Sequence, residues 1–62
     1  MRKYLVELTY KRVNPDDDSF FSAEVYAITD RSALIEAKQR AGLEGLTGHP
    51  EVFIKLIGGY ND

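Results

Sequence analysis

Apolar and polar side chains alternate along three stretches of this chain, and alternation with a period of two residues is typical of a β-strand with two different faces. The predicted strands are residues 3–12, 19–28 and 51–58. The first two strands are separated by turn-forming residues, Asn-Pro-Asp-Asp-Asp at positions 14–18, so we expect a hairpin there.

The stretch between the second and third strands has a different spacing. Its apolar residues recur at helical intervals, which predicts a helix over residues 30–41. The predicted core stripe of this helix is Ala33, Leu34, Ala37 and Ala41. Thr29 stands where an N-cap is needed, and Gly42 stands where a helix commonly ends.

The element order β-β-α-β restricts the topology. A hairpin makes the first two strands antiparallel, and the helix returns the chain so that strand three runs parallel to strand two. Strand three beside strand one gives the order 2-1-3 with antiparallel pairing throughout, whereas the alternative order 1-2-3 needs a parallel pair. We therefore predict one α+β domain over residues 1–62. It has two layers, a three-stranded antiparallel sheet and one helix, in a split βαβ arrangement that is half of a ferredoxin-like fold.

Both alternating sets of strand residues carry large apolar side chains, although one helix can cover only one face of a sheet. The set that contains Tyr4, Val6 and Leu8 has no charge and is the better core face. The opposite face, called the open face below, is expected to expose Leu5, Phe20, Tyr26, Phe53 and Ile57. An apolar sheet face left near water is usually a contact surface.

Composition excludes several classes of protein. The chain has 62 residues, no Cys and a formal net charge of −2. Without Cys it has no disulfide and no Cys-type zinc site, and this composition suits the reducing cytoplasm, where we expect the protein to act. The N-terminal apolar run is interrupted by Glu7 and lacks the features of a signal peptide. No stretch approaches the roughly 20 apolar residues of a membrane span, so no membrane association is expected.

No group of residues has the spacing of a catalytic, cofactor or metal site. Asp16, Asp17 and Asp18 are consecutive, whereas calcium loops place their ligands at alternate positions. His49 has no nucleophile to activate. Glu7 and Glu24 fall on the open face, but a glycosidase pair needs a deep cleft, and Glu7 can instead pair with Lys55 across the sheet. We expect no enzyme, no cofactor and no metal.

Nucleic acid is the alternative ligand class. Phe20, Tyr26 and Phe53 could stack bases, as aromatic side chains do on RNA-binding sheets. The acidic chain argues against this because nucleic-acid affinity depends on neutralising phosphates. Nucleic acid therefore ranks below protein as a partner. A weak homodimer through the open face is compatible with either function, and the free edges of strands two and three offer a second contact surface.

The entry into the helix follows the pattern Ala-x-Thr-x-x-x-Ala-Leu, at residues 27–34, and continues to Ala37. Together with the β-β-α-β order over residues 3–57, this pattern resembles the small podophage proteins that inhibit bacterial host RNA polymerase. The resemblance implies a phage-type protein that binds a host protein such as RNA polymerase. In that family, basic positions on the final strand contact the polymerase. Only Lys55 is comparable here, so no functional residue is carried over.

The leading hypothesis is a small non-enzymatic protein-binding module that acts by covering a surface of its partner. Its apolar contacts would supply the affinity, and its charged residues would set the orientation. The expected contact residues are Leu5, Glu7, Phe20, Glu24, Tyr26, Phe53, Lys55 and Ile57. The alternatives are a single-stranded nucleic-acid-binding protein that uses the open-face aromatics and a small protein that self-associates.

Overall fold

A computed structural model describes residues 1–59, and for Pro15 it describes the backbone only. The elements in chain order are β1 (Arg2–Tyr10), a 3-10 helix (Pro15–Asp17), β2 (Ser19–Ala27), α1 (Asp30–Leu43) and β3 (Glu51–Gly59). The sheet order is β2-β1-β3, and both strand pairs are antiparallel. The predicted α+β fold and its 2-1-3 order are therefore confirmed.

The hairpin loop between β1 and β2 is held by its own polar groups. The Arg12 N–H donates to Asp18 Oδ1 at 2.8 Å, so β1 ends at Tyr10 rather than at residue 12. Asn14 Oδ1 accepts from the Asp16 N–H at 3.2 Å, which is a side-chain turn typical of Asn. The acidic run is thus part of a structured turn, with the side chain of Asp18 only 10% exposed beside the Lys11 ammonium.

The helix begins as predicted and ends later than predicted. The Ser32 N–H donates to Thr29 Oγ1 at 3.1 Å, which confirms Thr29 as the N-cap. Gly42 lies inside the last turn, so its prediction as the terminating glycine is wrong. The left-handed residue is Gly45, at φ 86°.

Two backbone hydrogen bonds close the C-terminus of α1. The Gly45 N–H donates to Gly42 O at 3.0 Å, and the Leu46 N–H donates to Ala41 O at 3.0 Å. This bonding pattern needs a left-handed residue at position 45, where glycine is the residue without a steric penalty. Leu46 packs against the core there, whereas Leu43 is exposed.

One face of the sheet and an alanine stripe on α1 form the core. The small alanine side chains let the helix approach the sheet closely. The buried residues are Tyr4, Val6, Leu8 and Tyr10 on β1, Val25 and Ala27 on β2, and Ala33, Ala37 and Ala41 on α1. Leu34 packs at the margin of this core rather than inside it.

The helix lies off-centre on the sheet. It packs mainly against β2 and β1 and least against β3. Arg40 Nη1 makes a long hydrogen bond of 3.5 Å to the backbone oxygen of Glu24, on the outer strand β2. Val52 and Leu56 share the core face with Ile54 but remain 43% and 53% exposed. The helix therefore does not cover the whole of even its own face of the sheet.

A bulge interrupts β3 near its end. Leu56 lies opposite Tyr4 and Gly58 lies opposite Lys3, so Ile57 is the extra residue. Strict alternation, which placed Ile57 on the open face, does not hold across a bulge. Gly58 and Gly59 belong to β3, so this strand is one residue longer than predicted, and residues 60–62 lie outside the described residues.

Candidate functional site

The register of the three strands arranges the open face as a grid. Leu5 on the central strand β1 lies between Glu24 on β2 and Lys55 on β3. Glu7, two residues further along β1, lies between Ser22 and Phe53. Because β1 pairs on both sides, its side chains are surrounded by those of the two outer strands. Leu5 is accordingly half-buried.

Four residues at the middle of this grid form what we call the central cluster: Leu5, Glu7, Phe53 and Lys55. Leu5 and Phe53 are diagonal neighbours, and Glu7 and Lys55 occupy the crossing diagonal. Diagonal neighbours on one face of an antiparallel pair are roughly 7–8 Å apart, within reach of aromatic and long side chains. An apolar pair is thus flanked by an acid on one side and a base on the other.

The charges of the central cluster do not neutralise each other. Within residues 1–59, Glu7 and Lys55 form no ion pair with each other or with another side chain, so the cross-sheet pair that the sequence allows does not form. Both side chains are exposed. Each charge therefore remains available to an opposite charge on another molecule.

A second cluster lies beside the central one and includes a residue that sequence reasoning missed. Lys3 Nζ lies 2.8 Å from Glu24 Oε1 and 5.7 Å from the centre of the Tyr26 ring. Lys3 has the same strand parity as Leu5, and this parity was the signal that could have assigned it to the open face. The ion pair compensates the charge of Glu24. Because Lys3 lies opposite Tyr26 and Leu5 lies opposite Glu24, this ion pair occupies the diagonal that crosses the one from Leu5 to Tyr26. Tyr26 itself is 49% exposed.

Two of the predicted contact residues have no register position within either cluster. Phe20 is at the far end of β2, opposite Thr9, and is separated from Tyr26 by six positions, or roughly 20 Å of strand. Ile57 is in the bulge of β3. The structure brings together the other six predicted residues and leaves Phe20 as a separate exposed aromatic.

The part of the chain that the structure describes offers no grouped ligands for other chemistry. Among residues 1–59, no three His, Asp or Glu side chains are placed to hold a metal ion. Over the same residues, no polar or charged side chain is buried, and His49 is exposed in the loop before β3. In this range, no helix has the length and apolar character needed to cross a membrane.

Comparison with protein-family models, with curated protein sequences and with solved structures found no match for this chain. The resemblance to podophage polymerase inhibitors accordingly stays a prediction. The fold and the exposed surfaces of the sheet are the observations from which a function can be proposed.

Proposed function

We propose that this protein is a small non-enzymatic binding module whose open sheet face contacts another protein. The observation that carries the proposal is the central cluster. It combines the apolar diagonal of Leu5 and Phe53 with the uncompensated charges of Glu7 and Lys55. Phe53 is 53% exposed.

The two diagonals supply different parts of recognition. Burying Phe53 and the remaining exposed part of Leu5 removes apolar surface from water, and aromatic side chains near the centre of an interface commonly dominate its affinity. Opposite charges on the partner, facing Glu7 and Lys55, would fix its orientation and suppress wrong partners. A fitting partner surface therefore has an apolar pocket between an acidic and a basic group.

The backbone of the site is already ordered before binding. All four residues of the central cluster lie on β1 and β3, and β1 is paired on both of its sides. Little backbone entropy is then lost on association, which favours affinity from a small contact area. The Lys3–Glu24 ion pair similarly restrains the neighbouring part of the face.

The resemblance of residues 27–37 to podophage inhibitors suggests bacterial RNA polymerase as the first partner to test. The assay is titration of isotope-labelled protein with purified polymerase, with amide signals assigned to β1 and β3. We expect Phe53→Ala to weaken binding at least about tenfold, as central aromatic contacts do. Phe20→Ala is the matched control, since Phe20 is a more exposed phenylalanine on the same face but outside the cluster, and it should change affinity less than about twofold.

Equal effects of the two alanine substitutions would contradict the proposed site. If polymerase does not bind, a bacterial lysate replaces it. In that experiment, the proposal fails if every lysate protein captured by the wild-type protein is also captured by the Phe53→Ala variant. Binding of a single-stranded oligonucleotide that depends on Phe53 and weakens with salt would instead support the nucleic-acid alternative.

A further inference from the structure

Within residues 1–59, the outer side of β3 is a free sheet edge. In the order β2-β1-β3, the strand β3 pairs with β1 on one side and with no other strand of residues 1–59 on the other. A free edge presents backbone donors and acceptors that can pair with another strand. The other edge, β2, is covered on its core side by α1, whereas Val52 and Leu56 of β3 stay exposed.

The side chains of β3 have a self-complementary order. Glu51, Phe53 and Lys55 occupy alternate positions on the open face, opposite Thr9, Glu7 and Leu5. If two copies of β3 pair antiparallel about a two-fold axis at Phe53, Glu51 of each copy lies opposite Lys55 of the other. The two Phe53 rings then face each other between these ion pairs. On the core side, Val52 of each copy lies opposite Ile54 of the other.

We propose that two copies of this protein pair through β3 in that register and form one continuous six-stranded sheet, which joins two three-stranded sheets. The ladder uses residues 51–55, which precede the bulge at Ile57 and therefore lie on the regular part of the strand. Opposite charges and aromatic pairs directly across two strands both stabilise such pairing.

The two neighbouring registers of a β3–β3 ladder do not form the Glu51–Lys55 and Phe53–Phe53 pairs. A two-fold axis at Ile54 places Lys55 opposite Phe53 and Glu51 opposite Ile57. An axis at Val52 places Glu51 opposite Phe53 and Lys55 opposite His49. Only the axis at Phe53 matches both charges. Lys55 therefore sets the register of pairing and also discourages strands that offer no acid opposite it.

Glu51 is accessible for this role. Within its own chain, its Oε2 lies 4.0 Å from Lys11 Nζ, at the outer limit of an ion pair, and its side chain is 73% exposed. Lys55 is exposed and forms no ion pair in the described part of the chain. The inference rests on the edge and its charges. It can be tested without knowing the partner proposed for the open face, although both contacts would use Phe53 and Lys55.

Reversing the charge of Glu51 or of Lys55 tests the register of the proposed β3 ladder, and the molecular mass in solution is the only measurement needed. Sedimentation equilibrium at low salt and increasing concentration should show wild-type protein moving from the 7.0 kDa chain mass towards twice that mass. Glu51→Lys places two lysines opposite each other at both ends of the ladder, and Lys55→Glu places two glutamates there. Each variant alone should dimerise at least about tenfold more weakly, because like charges directly opposite are destabilising.

The two variants mixed should dimerise again, because every lysine of one copy then meets a glutamate of the other. The double variant Glu51→Lys with Lys55→Glu should also recover the wild-type dimer. The matched control is Glu7→Lys, which makes the same charge change on the central strand and should leave dimerisation unchanged. Circular dichroism of each variant confirms that the chain is folded.

Three results would overturn the proposal. The first is a wild-type chain that stays at monomer mass at the highest soluble concentration. The second is a dimer that Glu51→Lys and Lys55→Glu leave intact, which would place the contact elsewhere. The third is a mixture of folded variants that remains as monomeric as each variant alone, which would exclude the pairing of Glu51 with Lys55.

Discussion

Two glycines near the end of α1 are expected to respond in opposite directions to the same substitution. Gly42 lies within the helix, and Gly45 follows it in the left-handed conformation, at φ 86°. Within residues 1–59, no atom of another part of the chain lies within 4 Å of a Cβ built on either residue. The effect of Gly→Ala at each position is therefore a backbone effect and involves no clash.

The magnitudes follow from the backbone conformations. Gly42→Ala should stabilise the protein by about 0.5–1 kcal/mol, because alanine is the better helix residue and restricts the unfolded chain more. Gly45→Ala gains a similar unfolded-state term, but the left-handed conformation costs alanine about 1–2 kcal/mol, so a net loss of about 1 kcal/mol is expected. The two variants should then differ by roughly 10 °C in Tm, as expected for a domain of this size.

Thermal and urea unfolding followed by far-ultraviolet circular dichroism measures both variants against the wild-type protein at one fixed concentration. A helix that ended at Gly42, as the sequence pattern suggested, would reverse both signs. Stabilisation by Gly45→Ala would therefore refute the left-handed assignment at position 45. Destabilisation by Gly42→Ala would refute the extension of α1 to Leu43.

Four further substitutions test the helix cap, the off-centre position of α1 and the close packing of its alanine stripe. Thr29→Ala should cost about 1 kcal/mol in urea unfolding, because the Ser32 N–H loses its acceptor. Leu8→Ala should cost about 2–5 kcal/mol, whereas Leu56→Ala, on the same sheet face but 53% exposed, should cost less than about 1 kcal/mol. Similar losses for the two leucines would contradict the exposure of β3. Ala37→Leu should destabilise by about 1–3 kcal/mol through overpacking in the same assay, and a neutral result would contradict its close packing.

Most of the fold could be predicted from residues that are close to one another in the sequence. Thr29 can cap a helix within one turn of its own position, and alternation with uncharged Val6 and Leu8 marks the core face of β1. These signals depend only on neighbouring residues. The order 2-1-3 followed because it allows antiparallel pairing throughout.

The features that escaped prediction depend on contacts between distant residues or on a choice between equivalent residues. Gly42 and Gly45 are both glycines near a helix end, and the hydrogen bond from Leu46 to Ala41 decides between them. The bulge at Ile57 arises from the register of β3 on β1, which sequence alternation cannot reveal. The open-face residues were identified from parity, but their grouping needed the register of both strand pairs.

The uncovered part of β3 follows from the dimensions of the two layers. An α-helix with its side chains is about 10–12 Å wide, and strands are spaced about 4.8 Å apart, so one helix covers about two strands. The alanine stripe of α1 holds the helix close to β1 and β2 without large side chains that reach further. The exposed apolar residues Val52 and Leu56 therefore fall on the same strand as the free edge.

This placement connects the two proposed surfaces. Phe53 and Lys55 belong to the central cluster and also to the proposed β3 ladder. Lys55 cannot form a full-strength ion pair with Glu51 of a second copy and with an acidic group of another partner at the same time. By thermodynamic linkage, any cost that dimerisation imposes on partner binding is imposed equally by the partner on dimerisation. A partner that contacts Lys55 should therefore bind the monomer more tightly than the dimer. As this partner is added, the measured mass of the complex should approach that of one chain bound to one partner.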